Sequence, residues 1–248
     1  EYEKFPGEWF GPGIIFYSLS KCLEIARVDQ IQDFDILVLQ DGLFCVDQVL
    51  EKATGLSYEE IDLLIKEHHD ADVSDLQLMS RIIKATPFKK SLLIIFPMRL
   101  GIDFVNESYY QSVLTFFDYP QNIGFAGGRD SAALYFVGTD RNKNLLFLDP
   151  HYVQESFQTK EEVAHNIQSF SCTHIRSLSL ENLCTSMGFG FYLHDNNDCI
   201  EVVQRMASDR QLNPSFLFHP KLRSPTRDFK YREKEEDDFV VISDDDDF

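Results

Sequence analysis

Asp149-Pro150-His151 is the place in this sequence where side-chain types and spacing could do chemistry. In an extended chain, residues two apart point to the same side, so Asp149 and His151 can face one cleft together. A carboxylate beside an imidazole fixes its tautomer and supports its positive charge, as a general base requires. The other reading of the same three residues is a strand end, with a capping Asp, a turn-forming Asp-Pro and a surface His. What separates the two is the presence of a nucleophile and of elements that hold the pair.

The candidate nucleophiles are few. The chain has five cysteines, Cys22, Cys45, Cys172, Cys184 and Cys199, an odd number with no CxxC pair. That usage fits free thiols in a reducing compartment, which places the protein in the cytoplasm by default. Cys22 falls at helical spacing from Leu19 and Leu23, so it is expected to be a core residue and unreactive. No G-x-S-x-G elbow and no Walker loop occurs, and Gly124–Gly128 is not a dinucleotide fingerprint. His68-His69-Asp70 and Cys172-Thr173-His174 lack the spacing of metal ligands, so no metal and no cofactor is expected.

Composition narrows the classes further. The formal net charge is −18 over 248 residues. From Glu233 to Phe248 there are nine acids and one base, a net −8, which leaves −10 on the remainder. A body this acidic argues against nucleic acid as the main partner. No apolar run approaches the length of a membrane span, and no secretory signal is visible at the start. Glu1 rather than Met opens the sequence, which reads as part of a longer protein.

The elements that must position the pair follow from periodicity. Ala132–Val137 and Leu145–Leu148 read as two strands flanking a polar turn, with the second ending in the Asp-Pro-His stretch. The glycine-rich approach from Gly124 to Gly128 reads as a loop that supplies backbone freedom beside them. Upstream, Ile14–Ala26 has a helical period, and Ile36–Leu39 and Leu43–Val46 read as short strands. Val49–Ile83 is mostly helical, with a capping box at Ser57-Tyr58-Glu59-Glu60. Leu92–Phe96 reads as a strand stopped by Pro97, and Asn106–Phe117 as a helix. Downstream, 154–166 is polar, Gly188–Leu193 reads as a strand and Asp195–Ser208 as a helix. The pattern decays from Pro214, and 221–248 is expected to be disordered. Helices followed by strands, with a sheet of mixed direction, make the fold class α+β.

Two further features bear on binding. Trp9 sits in a Gly/Pro-rich segment that cannot bury an indole by helix packing, so it marks either a binding surface or a local cluster with Phe5 and Phe10. In the tail, Phe239 and Ile242 lie three apart in a β-prone run between acidic residues. Such a run can add a strand to a partner's sheet edge while filling two pockets. The bland alternative is a solubilising acidic terminus.

Taken together, four segments resemble the autophagins, the autophagy-related cysteine proteases that process a ubiquitin-like modifier. They are Gly7-Glu8-Trp9-Phe10-Gly11-Pro12; Arg99-Leu100-Gly101 with Val105-Asn106-Glu107-Ser108-Tyr109; Gly124 through Gly138; and Phe147-Leu148-Asp149-Pro150-His151. The resemblance covers roughly Pro6 to Leu193, with Asp29–Pro87 poorly matched. It implies a papain-like cysteine protease fold, incomplete at the N-terminus. The protease body would span 1–213 with a small added α/β subdomain over 29–87, and a disordered acidic tail over 214–248 would carry a modifier-interacting motif at Phe239 and Ile242. It implies Asp149 as orienting residue and His151 as base, Trp9 covering the cleft, and a flap around Gly127, Gly128, Arg129 and Asp130 that lifts for substrate. The implied partner is the ubiquitin-like autophagy modifier, both as precursor cleaved after its C-terminal glycine and as the phosphatidylethanolamine-conjugated form. The family's nucleophile lies upstream in a Gly-Trp-Gly-Cys setting that this sequence does not contain, so the chain alone is expected to be inactive. A non-catalytic module that holds the modifier through Trp9 and the tail is the alternative.

Overall fold

A computed structural model describes residues 11–26, 33–129, 132–153, 155–172 and 175–225. The helices are α1 (Pro12–Ala26), α2 (Val46–Thr54), α3 (Tyr58–His68), α4 (Asp75–Ala85), α5 (Tyr110–Phe116), α6 (Lys160–His165) and α7 (Asn196–Leu212). The strands are β1 (Phe34–Val38), β2 (Leu43–Cys45), β3 (Ser91–Arg99), β4 (Asn122–Arg129), β5 (Ala132–Thr139), β6 (Leu145–Leu148), β7 (Arg176–Leu178), β8 (Ser186–Leu193) and β9 (His219–Lys221). Seven strands form one sheet in the order β1-β3-β8-β4-β5-β6-β7, and β2 pairs with β9 in a small second sheet. Only β1–β3 is parallel within the large sheet; its other pairs are antiparallel. This is the α+β, papain-like class with a sheet of mixed direction.

One face of the sheet carries the core. Strand alternation puts Met187, Phe189, Phe191 and Leu193 of β8 on that face, all fully buried. Phe116 of α5 meets Phe189 and Phe191 edge-on at 5.1 Å, and Phe218 joins them at 5.1 Å from Phe191. Such edge-to-face packing adds to the burial of each ring. The opposite face is dressed by α1, where Phe16 lies over Gly188; a Cβ at Gly188 would stand 2.1 Å from the Phe16 ring. Helices α2 to α4, the helical part of the stretch expected to be an added subdomain, share a single buried cluster with the sheet. The capping box at Ser57 starts α3 as its spacing predicts, and a second one at Ser74 starts α4.

Several expectations from the sequence need correction. The glycine-rich approach is not a loop: Gly127 and Gly128 lie in β4, paired with Leu134 and Ala133, and Arg129 pairs with Ala132. Its one left-handed residue is Gly124, at φ 87, where the register of β4 against β8 shifts. Strand β3 runs through Pro97 to Arg99. Ile95 accepts the Leu39 N–H at its carbonyl, so Ile95 and Pro97 turn their main-chain groups toward β1. β1 has ended by then, and the missing N–H of Pro97 leaves no rung of the ladder open. Cys22 is exposed rather than in the core. α1 covers the sheet with Phe16 and Ser20, whose hydroxyl donates to the Ile36 carbonyl at 3.0 Å, and Cys22 falls on the outer side with Leu19. The chain also stays folded past 213. Phe216, Leu217 and Phe218 are buried, β9 pairs with β2, and the Ser224 N–H donates to the buried Asp47 carboxylate at 3.0 Å. Those three apolar residues lie in a Pro-rich context without period, which hid them.

The bulge at Gly124 yields a test. A Cβ there would lie 2.3 Å from the Phe136 carbonyl oxygen, on top of the left-handed φ. Gly55 has φ 74 and open space around it, so it isolates the conformational part alone. In denaturant unfolding, Gly124→Ala is expected to cost about 2–3 kcal/mol and Gly55→Ala about 1 kcal/mol. Equal losses would mean that the β4–β5 pairing accommodates the methyl group.

Candidate active site

The end of β6 builds the candidate site. Leu145 and Phe147 anchor β6 in the core, and Pro150 then stops the ladder because it has no N–H to give. Asp149 closes a tight turn over it: the Asp149 Oδ1 accepts the His151 main-chain N–H at 3.1 Å. The same oxygen lies 2.7 Å from His151 Nδ1. The alternation expected from an extended chain is therefore replaced by a turn that folds the imidazole back onto its own carboxylate. Sequence spacing brings the two residues together either way, but the turn explains the short distance.

The electrostatics follow from this geometry. The His151 ring and main-chain N–H, and beyond them the Arg176 guanidinium, hold the Asp149 carboxyl below the ordinary carboxylate range. Asp149 is then ionised at neutral pH and can only accept, so Nδ1 carries the proton in this contact. A depressed carboxylate pKa contributes stability above the unfolded value and loses it as pH falls through the folded one. Protonation of Asp149 at low pH would therefore remove the acceptor that holds His151. His151 is 53% exposed and Asp149 is 22% exposed, so the imidazole edge is open to a reactant.

The structure brings some of the expected residues to this end of the sheet and leaves others apart. Tyr135 pairs with Leu148, and Gly128 pairs with Ala133, so the hairpin end of β4 and β5 and the turn after β6 share one end of the sheet. β4 and β6 are two strands apart, about 10 Å. Gly127 and Gly128 border the site laterally and do not touch the pair. Gly128 packs against Cys184, whose main-chain N–H donates to the Gly128 carbonyl at 2.9 Å. Trp9, Asp130, Phe239 and Ile242 lie outside the described residues, and of Arg129 only the main chain is placed.

Two residues at this site escape sequence reading. Arg176 of β7 stands opposite Phe147, and its Nη1 reaches Asp149 Oδ2 at 3.6 Å. Tyr152 bonds to the same guanidinium through its hydroxyl, with the ring centroid 5.7 Å from the guanidinium carbon. Tyr152 follows the motif directly and could have been noticed. Arg176 could not, because the β6–β7 pairing crosses a stretch that reads as merely polar.

None of the five cysteines forms a disulfide. Cys45 and Cys199 are buried, and burial pushes the Cys199 thiol far up from its ordinary value. No helix among the described residues is long and apolar enough to cross a membrane.

Comparison with known proteins agrees with the fold. Residues 1–205 match the peptidase C54 catalytic domain. The chain is 26% identical over 238 residues to a probable cysteine protease ATG4 of Meyerozyma guilliermondii, covering 96% of this chain and 46% of that protein. It is 29% identical over 193 residues to cysteine protease ATG4A of Homo sapiens, covering 77% of this chain and 47% of that protein. It is 25% identical over 268 residues to cysteine protease ATG4B of Gallus gallus, covering 96% of this chain and 65% of that protein. The chain thus spans about half the length of the first two of these relatives. With the carboxylate–imidazole pair of β6 inside the matched stretch, the chain belongs to the peptidase C54 family of cysteine proteases, the autophagins.

Proposed function

We propose that this chain is part of a thiol endopeptidase that cleaves the precursor of the ubiquitin-like autophagy modifier after its C-terminal glycine. The same chemistry releases the modifier from phosphatidylethanolamine at a membrane surface. The observation that carries this reading is the 2.7 Å contact between Asp149 Oδ1 and His151 Nδ1 at an open strand end of a peptidase C54 chain. His151 is the base and Asp149 its orienting partner. The thiol comes from a Gly-Trp-Gly-Cys segment outside these 248 residues, so the chain alone does not acylate.

The chemistry then runs in two halves. His151 Nε2 takes the thiol proton, and the thiolate attacks the carbonyl carbon of the substrate's C-terminal glycine. The imidazolium, held by ionised Asp149, returns that proton to the leaving amine, which is a peptide nitrogen in the precursor and the ethanolamine nitrogen in the lipid conjugate. The acyl-enzyme is hydrolysed by a water that His151 deprotonates. No metal or cofactor enters these steps. Trp9 covers the cleft, and Gly127, Gly128, Arg129 and Asp130 border the path of the glycine tail. Phe239 and Ile242 hold the body of the modifier. The work is done in the cytoplasm, with lipid-bound substrate met at the membrane from that side.

In the full-length protein, His151→Ala is expected to abolish cleavage of the modifier precursor, and Asp149→Ala to lower kcat/KM by roughly 10³–10⁴-fold. Cys22→Ser, on the outer side of α1, should leave turnover unchanged. Normal turnover of the His151 or Asp149 variant in a precursor-processing assay would place the base elsewhere. Separately, Phe239→Ala with Ile242→Ala should weaken retention of the modifier in a pull-down while leaving cleavage of a short glycine-tail peptide intact. Undiminished retention would remove the tail from the binding surface and with it the non-catalytic reading of the tail.

A further inference from the structure

Asp149 has two oxygens, and they face different partners. Oδ1 takes both His151 contacts, the main-chain N–H at 3.1 Å and Nδ1 at 2.7 Å. Oδ2 faces Arg176 Nη1 at 3.6 Å. The carboxylate torsion of an aspartate is broad and two-fold, so an unheld group exchanges its oxygens by a half-turn and lets the imidazole go as it does so. A cation on Oδ2 opposes that rotation.

Arg176 is itself fixed. Its strand β7 is paired with β6, with Arg176 opposite Phe147. Its second guanidinium nitrogen donates to the Tyr152 hydroxyl, and the guanidinium lies near the Tyr152 ring. A guanidinium stays charged across the whole working pH range and presents several donors in one plane, so it can hold a hydroxyl and a carboxylate together. The chain Tyr152–Arg176–Asp149–His151 therefore runs from one strand's neighbour back to the base.

We propose that Arg176 is a positioning residue: it holds Oδ2 of Asp149 so that Oδ1 stays on the imidazole of His151. This rests on the reading of Asp149 and His151 as the working pair. Tyr152 is the anchor that keeps Arg176 over the carboxylate rather than in solvent, where its 56% side-chain exposure would otherwise let it turn. Removing the cation has two consequences. The carboxylate loses a neighbour that favours its charged form, and the imidazole loses its fixed orientation.

Two measurements separate these consequences. In this chain, the Asp149 carboxyl carbon is titrated by ¹³C NMR in wild type, Arg176→Met, Arg176→Lys and Tyr152→Phe. The midpoint is expected to rise by about half a pH unit in Arg176→Met. It should move least in Arg176→Lys and by an intermediate amount in Tyr152→Phe, with amide dispersion confirming that each variant is folded. In the full-length protein, Arg176→Met should lower kcat about ten- to hundredfold with KM unchanged. The acidic limb of its pH profile should move upward, because ionised Asp149 is needed and now protonates at higher pH. Arg176→Lys should recover most of the loss.

A raised KM with an unchanged acidic limb would make Arg176 a substrate contact and overturn the proposal, as would a wild-type kcat and midpoint in Arg176→Met. His151→Ala is the control: full activity in that variant removes the catalytic reading of the pair, whereas the NMR midpoints still report whether Arg176 holds Asp149.

Discussion

The interlocking of phenylalanine rings between α5 and β8 is the contact on which the molecule depends. β8 lies between β3 and β4 and joins the two halves of the sheet. Its Phe189 and Phe191 are held by Phe116, Phe96, Phe125 and Phe218, which come from α5, β3, β4 and the chain just before β9. Opening that cluster would expose several rings at once, and each contributes a few kcal/mol of burial. Main-chain bonds alone do not set the register so firmly. It is the alternation of ring and glycine along β8 that makes one face bulky and the other flat enough for α1.

Register then passes outward, strand by strand, to the site. β4 is fixed against β8 by Phe125 opposite Phe189, β5 against β4 by Phe136 opposite Phe125, and β6 against β5 by Phe147 opposite Phe136. The rings of Phe125 and Phe136 stack at 4.7 Å, and Phe136 meets Phe147 at 5.9 Å. Each step is a buried aromatic pair across neighbouring strands, which is the unit that stabilises a sheet. A slip of one residue anywhere in this relay would turn Phe147 to the other face and carry Asp149 with it. The site is positioned by the core even though none of its polar groups is buried in it.

What could be read from the sequence divides along the same physical line. Local signals were legible: the capping box at Ser57, the strands leading to Asp149, and the carboxylate–imidazole spacing itself depend on residues within a few positions of one another. Nonlocal pairings were not. Gly127 and Gly128 read as a flexible loop because glycine is usually punctuation, yet here they let β4 pack closely against Cys184, Met187 and the Phe125 and Phe136 rings. Cys22 read as core because helical spacing says which residues share a face without saying which face meets the sheet. Arg176 meets Asp149 from 27 residues away and Phe218 meets Phe96 from 122 residues away, and no local window of the chain contains both sides of those contacts.

The exposure of the pair sets a limit on what its geometry can do by itself. Asp149 and His151 are in place at 2.7 Å, but the imidazole is half in water. An ion pair at that exposure is screened, and its contribution is small. The same contact in a site closed to solvent is several times stronger, because the field of the carboxylate is no longer shared with water. On the proposed reading, a covering indole and a bound glycine tail would change the dielectric without moving the residues. The strand end would then supply orientation, Arg176 would keep that orientation from relaxing, and the hold of the carboxylate on the imidazole would strengthen only when substrate excludes water. On that reading the pair is quiet until it is covered, as a substrate tail that must thread into the cleft before a thiolate attacks it would require.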